Sequence, residues 1–438
     1  MQLSHRLGRA ITWNVVAAAS TSGANLLTAL ILGNTLGREI FGEFAIVQST
    51  VISAAGVAQL AMGLTATKFV AQYRDESKDR AGRILGLCTV VTALTGLLGS
   101  LVLSLGASVI STQLLRVPSL GGSIALAGSV VLFATMNGFQ VGGLAGMEQY
   151  RAIAIAGLMC AAFHVALCAA AALLGGLRGV IIALLVSASV RWLLFNIALR
   201  REAARQGIRI AAKGLFHESV MLFTFALPAA LSGLSALLAI WIGNALLVRQ
   251  QNGLSEMGLY AAVATFRALL LLFPALANNV GLSVINSFAE IRDARPYRTA
   301  FWANFWVTSV SLAIGAAALL LFGDAFLGLF GQDFIEGKTL LRVVIGGAVL
   351  EGISIAAYQI VQSRARMWTS LWVVSLPRDC MMIGVAWWLI PHYGAVGLGI
   401  GYTVAWAMAL FAISSITFKL GLVPSGASSE HRPVSPRS

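Results

Sequence analysis

The segment Gly128-Ser-Val-Val-Leu-Phe-Ala-Thr-Met-Asn-Gly-Phe-Gln140 resembles a later segment, Gly347-Ala-Val-Leu-Glu-Gly-Ile-Ser-Ile-Ala-Ala-Tyr-Gln359. Both segments lie in long apolar runs, and the offset between them is 219 residues, half of the 438 residues in the chain. This spacing predicts an internal duplication within the membrane. Two repeats of equal length are typical of transporters, in which one repeat rocks against the other.

Two shorter matches have nearly the same offset. Gly176-x-x-Gly179 matches Gly394-x-x-Gly397, and Phe41-Gly42-x-Phe44 matches Met257-Gly258-x-Tyr260. Each match is short, so the duplication is inferred from the offset that all three share.

The composition indicates an integral membrane protein. Hydrophobic residues make up 58% of the chain and charged residues only 11%, whereas about a quarter of a soluble domain is charged. The apolar runs are long enough for helices that cross a hydrocarbon core of about 30 Å. The sequence therefore predicts an all-α polytopic membrane protein with about 12 transmembrane helices in two six-helix pseudo-repeats. The predicted spans are 10–32, 44–67, 84–110, 122–146, 152–174, 179–199, 219–247, 258–284, 301–322, 339–362, 370–389 and 394–418.

The lysines and arginines sort by side of the membrane. Of the 30 in the chain, 21 fall in segments on the side of the two termini and 5 on the other side. By the positive-inside rule, both termini are expected in the cytoplasm. The net charge of +13 therefore reflects topology, and no nucleic-acid partner is predicted.

The predicted organisation has four parts. Residues 1–200 form an N-terminal six-helix bundle, 201–218 a cytoplasmic basic linker, 219–420 a C-terminal six-helix bundle, and 421–438 a disordered cytoplasmic tail rich in Ser and Pro. The chain has no P-loop sequence and no pattern resembling a catalytic dyad or triad. The sequence predicts a protein that is not an enzyme, with no cofactor, disulfide or metal site.

Ionisable residues within spans are costly, and they often mark substrate paths or pair with one another. The six in this chain leave a surplus of positive charge, which predicts a cationic cavity for an anionic substrate, since arginine suits phosphate oxygens. Arg267 is the principal candidate, because it lies near mid-membrane. Glu351 and Asp379 are candidates for ion coupling or for charge pairs, with Glu351 facing Arg378 and Asp379 facing Arg267. The six residues are Arg191, Arg267, Arg342, Arg378, Glu351 and Asp379.

Uncharged polar residues and one histidine also fall within spans. They either line a polar cavity that binds sugar hydroxyls or form hydrogen bonds between helices. A proton relay is the alternative for His164, for which a hydrogen bond to a neighbouring helix is favoured. The candidates are Asn14, Asn25, Asn137, Gln140, Gln359 and His164.

Four stretches resemble the polysaccharide transporter branch of the multidrug/oligosaccharidyl-lipid/polysaccharide exporter superfamily, which includes the O-antigen flippases. They are Leu36–Phe44, Gly63–Gln72, Gly146–Arg151 and Leu327–Phe334. The resemblance implies about twelve helices in two bundles around a cationic central cavity. It also implies export of an isoprenoid-diphosphate-linked oligosaccharide across the bacterial inner membrane by alternating access. Implied partners are the lipid-linked glycan, the lipid bilayer, and a polysaccharide polymerase with its assembly proteins.

The resemblance also bears on single residues. Lipid II flippases of this superfamily carry an arginine in the eighth helix facing the cavity, and Arg267 lies in the eighth predicted span. Where those flippases have further arginines in the first helices, this chain has Asn14 and Asn25.

The sequence also leaves two other classes of transporter open. A MATE-like cation or drug antiporter shares the fold but usually needs membrane carboxylates, for which only Glu351 and Asp379 qualify. A major-facilitator transporter is suggested by Asp79-Arg80-Ala-Gly82-Arg83, which resembles a loop of that family but lacks the preceding glycine.

Overall fold

The computed structural model describes the backbone of residues 2–211, 226–288, 294–363 and 371–419. Side chains are described for residues 12–211, 226, 230–231, 233–277, 301–358 and 371–416. The predicted tail, 421–438, and the end of the predicted linker from residue 212 onward lie outside the described residues.

The described chain consists of helices joined by short connections, and no strand occurs in these ranges. Two π-helical turns, Ile110–Leu114 and Leu371–Ser375, and two 3-10 turns, Pro118–Leu120 and Gln332–Gly337, lie between the helices. The helices are α1 (Gln2–Gln59), α2 (Met62–Tyr73), α3 (Lys78–Leu105), α4 (Ala107–Val109), α5 (Gly121–Gly146), α6 (Tyr150–Arg205), α7 (Leu227–Val248), α8 (Gly253–Phe288), α9 (Ala294–Leu321), α10 (Gly323–Gly328), α11 (Lys338–Ser363) and α12 (Leu376–Lys419).

Eight helical segments of the described chain are long and apolar enough to cross a membrane. Three of them are 48, 56 and 46 residues long, about twice the roughly 20 residues that one crossing needs. Each of these three is interrupted by one glycine with positive φ: Gly37, Gly176 or Gly394. If each of these three counts as two crossings, the described segments and the apolar helix Gly233–Val248 together account for twelve crossings, the predicted number.

The repeated Gly-x-x-Gly motif forms the same tight reversal in both halves. Gly176 has φ 54° and ψ −145°, and Gly394 has φ 52° and ψ −131°. Three residues later, a Cβ on Gly179 would lie 2.7 Å from the Ala171 carbonyl oxygen, and one on Gly397 at the same distance from that of Leu389. Eight residues of straight helix span about 12 Å, so the chain folds back at each motif.

The structure differs from the predicted boundaries at two places. The predicted span 44–67 is broken, because Leu60 and Ala61 both have positive φ and separate α1 from α2. Helix α6 continues to Arg205, into the predicted linker. Hydrophobicity predicts how long an apolar segment is. It does not predict a backbone break inside an apolar segment, nor a helix that continues into the polar residues after it.

The halves α1–α6 and α7–α12 meet at an aromatic cluster made of Phe41, Phe266, Phe330 and Phe334. The ring of Phe41 in α1 lies 5.7 Å from Phe330 and 6.0 Å from Phe334, and Phe266 in α8 lies 5.6 Å from Phe330. All four side chains are buried. The cluster therefore packs the two halves against each other beside the kink at Gly37.

Candidate functional site

A cavity of about 650 Å³ lies between the two halves. Its walls come from α1 on one side and from α7, α8, α11 and α12 on the other. Amides and hydroxyls line it together with four charged side chains. The polar lining includes Asn25, Gln48, Ser49, Ser53, Asn244 and Thr265, and the charged lining is Arg267, Glu351, Arg378 and Asp379.

Arg267 forms a two-pronged ion pair with Glu351. Arg267 Nε donates to Glu351 Oε2 at 3.0 Å and Nη2 donates to Oε1 at 3.2 Å. Tyr402 completes the group: its hydroxyl accepts from Arg267 Nε at 2.9 Å and donates to Glu351 Oε2, while its ring lies 4.6 Å from the guanidinium carbon. The three side chains, from α8, α11 and α12, thus form one connected network in the cavity wall.

Arg378 pairs with its neighbour Asp379. Arg378 Nε donates to Asp379 Oδ1 at 2.8 Å, and the guanidinium carbon lies 4.6 Å from the ring centre of Trp406. Asp379 Oδ2 is buried and has no hydrogen-bond partner. The predicted pairs, Glu351 with Arg378 and Asp379 with Arg267, are therefore wrong. Successive helical residues do point about 100° apart, but the long arginine side chain bends back to reach the next carboxylate.

The cavity charge is balanced, which differs from the predicted cationic surplus. Arg342 is exposed and absent from the cavity lining. It precedes Glu351 by nine residues, which places it on the opposite face of α11 at 100° per residue. Arg191 lies inside the N-terminal half, with its guanidinium carbon 5.6 Å from the Phe195 ring centre and its Nε buried without a hydrogen-bond partner. A count of charges within spans does not reveal which helix face they occupy.

Of the uncharged polar candidates, some line the cavity and others lie elsewhere. Asn25 lines the cavity, whereas Asn14 is exposed and does not. Asn137 and Gln140 are buried within the N-terminal half, where Asn137 Nδ2 donates to Gln140 Oε1 at 3.5 Å and Gln140 Nε2 donates to the Trp192 carbonyl at 3.3 Å.

His164 is not among the residues that line the cavity. A nitrogen of His164 lies 3.7 Å from the thiol of Cys168, one turn later in the same helix, so the favoured bond to a neighbouring helix is not found. The side chain of Gln359 lies outside the described residues. No group of three or more His, Cys, Asp or Glu side chains suited to a metal occurs in the part of the chain that the structure describes.

Sequence reasoning missed a second charged network, at the end of the cavity near Gly37. Arg38 in α1 donates to Glu256 Oε1 at 3.1 Å and to Glu336 Oε2 at 2.6 Å. Glu256 Oε2 also accepts the backbone N–H of Ala395 at 2.8 Å, just after the Gly394 turn. Arg38 and Glu256 flank the repeated motifs at Phe41 and Met257, and this shared flank is the signal that could have identified them.

The family comparison agrees with this architecture. Residues 7–282 match the family described as polysaccharide biosynthesis protein. The chain belongs to that family. With its eight apolar segments of membrane-spanning length, it is a multi-pass membrane protein of the polysaccharide transporter branch, as the sequence predicts.

One curated relative and two solved structures illustrate the likeness. The EPS I polysaccharide export inner membrane protein EpsE of Ralstonia nicotianae is 22% identical over 412 residues, which cover 89% of this chain and 88% of the relative. An inward-facing MATE family transporter has a TM-score of 0.73 at 16% identity, covering 94% of this chain and 100% of its own. The eukaryotic MATE transporter AtDTX14 has a TM-score of 0.74 at 14% identity, covering 94% and 95%. At these identities the two structures show a common fold.

Proposed function

We propose that this protein moves an isoprenoid-diphosphate-linked oligosaccharide across the inner membrane by alternating access. The observation that carries the proposal is the position of Arg267, at the wall of a cavity between the two halves, in a protein of a polysaccharide family. The cavity volume of about 650 Å³ lies within the range of about 300–1,000 Å³ typical of small-molecule sites. Its amides and hydroxyls suit the hydroxyl groups of a glycan.

The charged groups suggest how a diphosphate binds in a cavity whose charges are balanced. Phosphate oxygens match the guanidinium fork of Arg267 as well as the carboxylate of Glu351 does. In this proposal the diphosphate displaces Glu351 from Arg267, while the lipid tail stays in the bilayer. An unpaired carboxylate in the membrane is costly. The hydrogen bond that Tyr402 donates to Glu351 offsets part of this cost.

The closed end of the cavity supports the direction of transport. The aromatic cluster and the Arg38 network hold the halves together near Gly37. The distribution of lysine and arginine predicts that this end faces the outside of the cell. We infer that this conformation is the one that receives substrate from the cytoplasm. Rocking of the halves would break the Arg38–Glu256 contact and expose the glycan outside.

The test is a gene deletion complemented by single variants, with extraction of the isoprenoid lipids. We expect Arg267→Ala to accumulate a diphosphate-linked oligosaccharide and to lose the surface glycan, as the deletion does. Arg342→Ala removes an exposed arginine from the neighbouring helix and should behave like the wild type. Normal export by Arg267→Ala at a normal membrane level would overturn the role proposed for this arginine.

A MATE-like cation antiporter is the second candidate function, and the two carboxylates in the cavity are the observation that favours it. Both are bonded to arginines, so a cation would have to displace these partners. Efflux of cationic dyes from cells that overproduce the protein, lost in Glu351→Gln, would support this candidate. The lipid pool would then be unchanged by the deletion.

A further inference from the structure

We propose that a second site, on the N-terminal half and separate from the central cavity, captures the diphosphate headgroup of the lipid-linked substrate at the cytoplasmic membrane surface. This inference rests on the proposed function. The site is a groove of about 1560 Å³, which we name the basic groove. It is formed by the start of α1, the connection between α2 and α3, the α5–α6 turn and both arms of the α6 hairpin. Its basic residues are Arg74, Lys78, Arg151, Arg201 and Arg205, and its acidic residues are Asp75, Glu148 and Glu202.

The three carboxylates of the basic groove are bonded to two of its five cations. Arg74 pairs with Glu148 at 2.5 Å and with Asp75 at 3.3 Å, and Arg205 pairs with Glu202 at 2.7 Å. Burial alone would lower the pKa of Arg74, but the hydrogen bonds and negative charges of Glu148 and Asp75 raise it above its ordinary value. These pairs fix the rim of the groove.

The other three cations are available to an anion. Lys78, Arg151 and Arg201 are exposed, and within the described ranges no carboxylate forms an ion pair with them. Three cations converging on one groove suit a diphosphate, which presents several charged oxygens and accepts two-pronged arginine contacts. A zwitterionic phospholipid carries its own positive charge beside a single phosphate, so it would not need three cations.

An apolar strip runs from the cations along the α6 hairpin. Ile155 and Met159 follow Arg151 at intervals of four residues, so the three lie on one helix face, and both apolar side chains are exposed, 44% and 55% respectively. Ile197 lies one turn before Arg201 on the other arm and is also exposed. Eight residues of helix extend about 12 Å. The strip therefore leads from the headgroup level into the bilayer, where it can hold the beginning of an isoprenoid tail.

An aromatic side chain marks the membrane surface at this groove. Trp13 of α1 lines it, and the guanidinium carbon of Arg151 lies 5.8 Å from the Trp13 ring centre. Tryptophan is enriched at the membrane–water interface. A cationic rim at that level, above an apolar strip, fits a lipid with a phosphate headgroup better than a free soluble phosphate. We commit to the isoprenoid diphosphate because it combines several negative charges with a tail that remains in the bilayer.

The experiment measures binding to the purified full-length protein in nanodiscs of zwitterionic phosphatidylcholine, by native mass spectrometry. The probe is undecaprenyl diphosphate without a glycan, and undecaprenol and phosphatidylglycerol serve as comparison lipids. We expect Arg151→Gln/Arg201→Gln to bind the diphosphate at least tenfold more weakly than the wild type. Arg151→Lys/Arg201→Lys keeps both charges but loses the two-pronged contacts, so its binding should lie between that of the wild type and that of the glutamine variant. The matched control is Arg116→Gln/Arg178→Gln, which removes two exposed arginines from the other end of the N-terminal half.

Three results would overturn the proposal. The first is unchanged diphosphate binding in Arg151→Gln/Arg201→Gln. The second is equal binding of phosphatidylglycerol, which would make the groove a site for bulk anionic lipid. The third is equal binding of undecaprenol, which would make it a site for the tail alone. The failure of the proposed function is distinct, because it appears as normal export by Arg267→Ala in cells, whatever the nanodiscs bind.

Discussion

Gly42 of the N-terminal half lies directly against Gly258 of the C-terminal half. A Cβ on Gly42 would lie 2.9 Å from the backbone nitrogen of Gly258 and 1.8 Å from the Leu254 carbonyl oxygen. In the reverse direction, a Cβ on Gly258 would lie 2.1 Å from the Arg38 carbonyl oxygen. The two glycines occupy equivalent positions of the duplicated sequence, and each allows the helix of the other half to approach. The closure of the cavity near Gly37 is therefore built on the symmetry of the repeat.

Replacing either glycine by alanine is expected to open this closure, because the added methyl group meets backbone atoms that cannot move aside. We expect Gly42→Ala and Gly258→Ala to increase the distance between spin labels at Thr35 and Gln332, which are exposed on opposite halves. The measurement is double electron–electron resonance on a variant whose four cysteines have been replaced. Gly346→Ala is the control, since nothing lies within 4 Å of its Cβ position. A distance distribution unchanged by Gly42→Ala would contradict the close approach.

The Arg38–Glu256 contact should contribute to the same closure. Glu256 is 28% exposed at its side chain and bonds both Arg38 and the Ala395 N–H, whereas Glu336 bonds Arg38 but is 74% exposed. A hydrogen bond to a charged group contributes about 1.5–3 kcal/mol. Glu256→Gln should therefore shift the population from the closed toward the open state by roughly tenfold or more, measured with the same spin labels. Glu336→Gln should change the population little, because exposed ion pairs contribute about 0–1 kcal/mol. Equal effects of the two variants would show that burial of Glu256 does not matter.

Variants of the Arg267–Glu351 pair should affect stability and transport differently. Arg267→Ala leaves the buried Glu351 with its hydrogen bond from Tyr402 but without its cationic partner. Breaking a buried ion pair in this way costs about 3–5 kcal/mol, so the unfolding temperature of the variant in detergent should fall. The double variant Arg267→Met/Glu351→Met removes both charges and should regain most of that stability. We expect it still to fail in the lipid-accumulation assay, because no guanidinium remains for the diphosphate. Export by the stable double variant would make the pair purely structural.

Replacing Arg191 is expected to raise the unfolding temperature, in contrast to Arg267→Ala, which should lower it. Its Nε is buried without a hydrogen-bond partner, and no carboxylate pairs with it in the described part of the chain. Replacing an arginine that has no ion-pair partner in the interior of the half by an apolar residue removes the cost of desolvating its charge, so stability is expected to rise. Arg191→Met should thus raise the unfolding temperature, while the exposed Arg342→Met should change it little. A clear fall in Arg191→Met would reveal a partner that compensates the charge.

Much of the fold could be predicted from the sequence because apolar length and glycine position act locally. Twenty apolar residues form a helix in lipid, since every backbone group must find a partner within the segment. The repeated Gly-x-x-Gly motifs identified equivalent positions, and the structure shows the same reversal at Gly176 and Gly394. The broken span at Leu60 and Ala61 was not predictable in this way, because neither residue type signals a positive φ.

The sequence by itself determined which side chains are expensive in a membrane, and Arg267, Glu351, Arg378 and Asp379 do line one cavity. Only the tertiary structure decided how they pair, that Tyr402 joins Arg267 and Glu351, and that Arg191 and Arg342 lie elsewhere. The physical reason is that hydrophobicity and charge are properties of a segment, whereas an ion pair depends on helix rotation and on contacts between distant segments. The same reason explains why Arg38 and Glu256, 218 residues apart, looked like unrelated loop charges until the two halves were folded together.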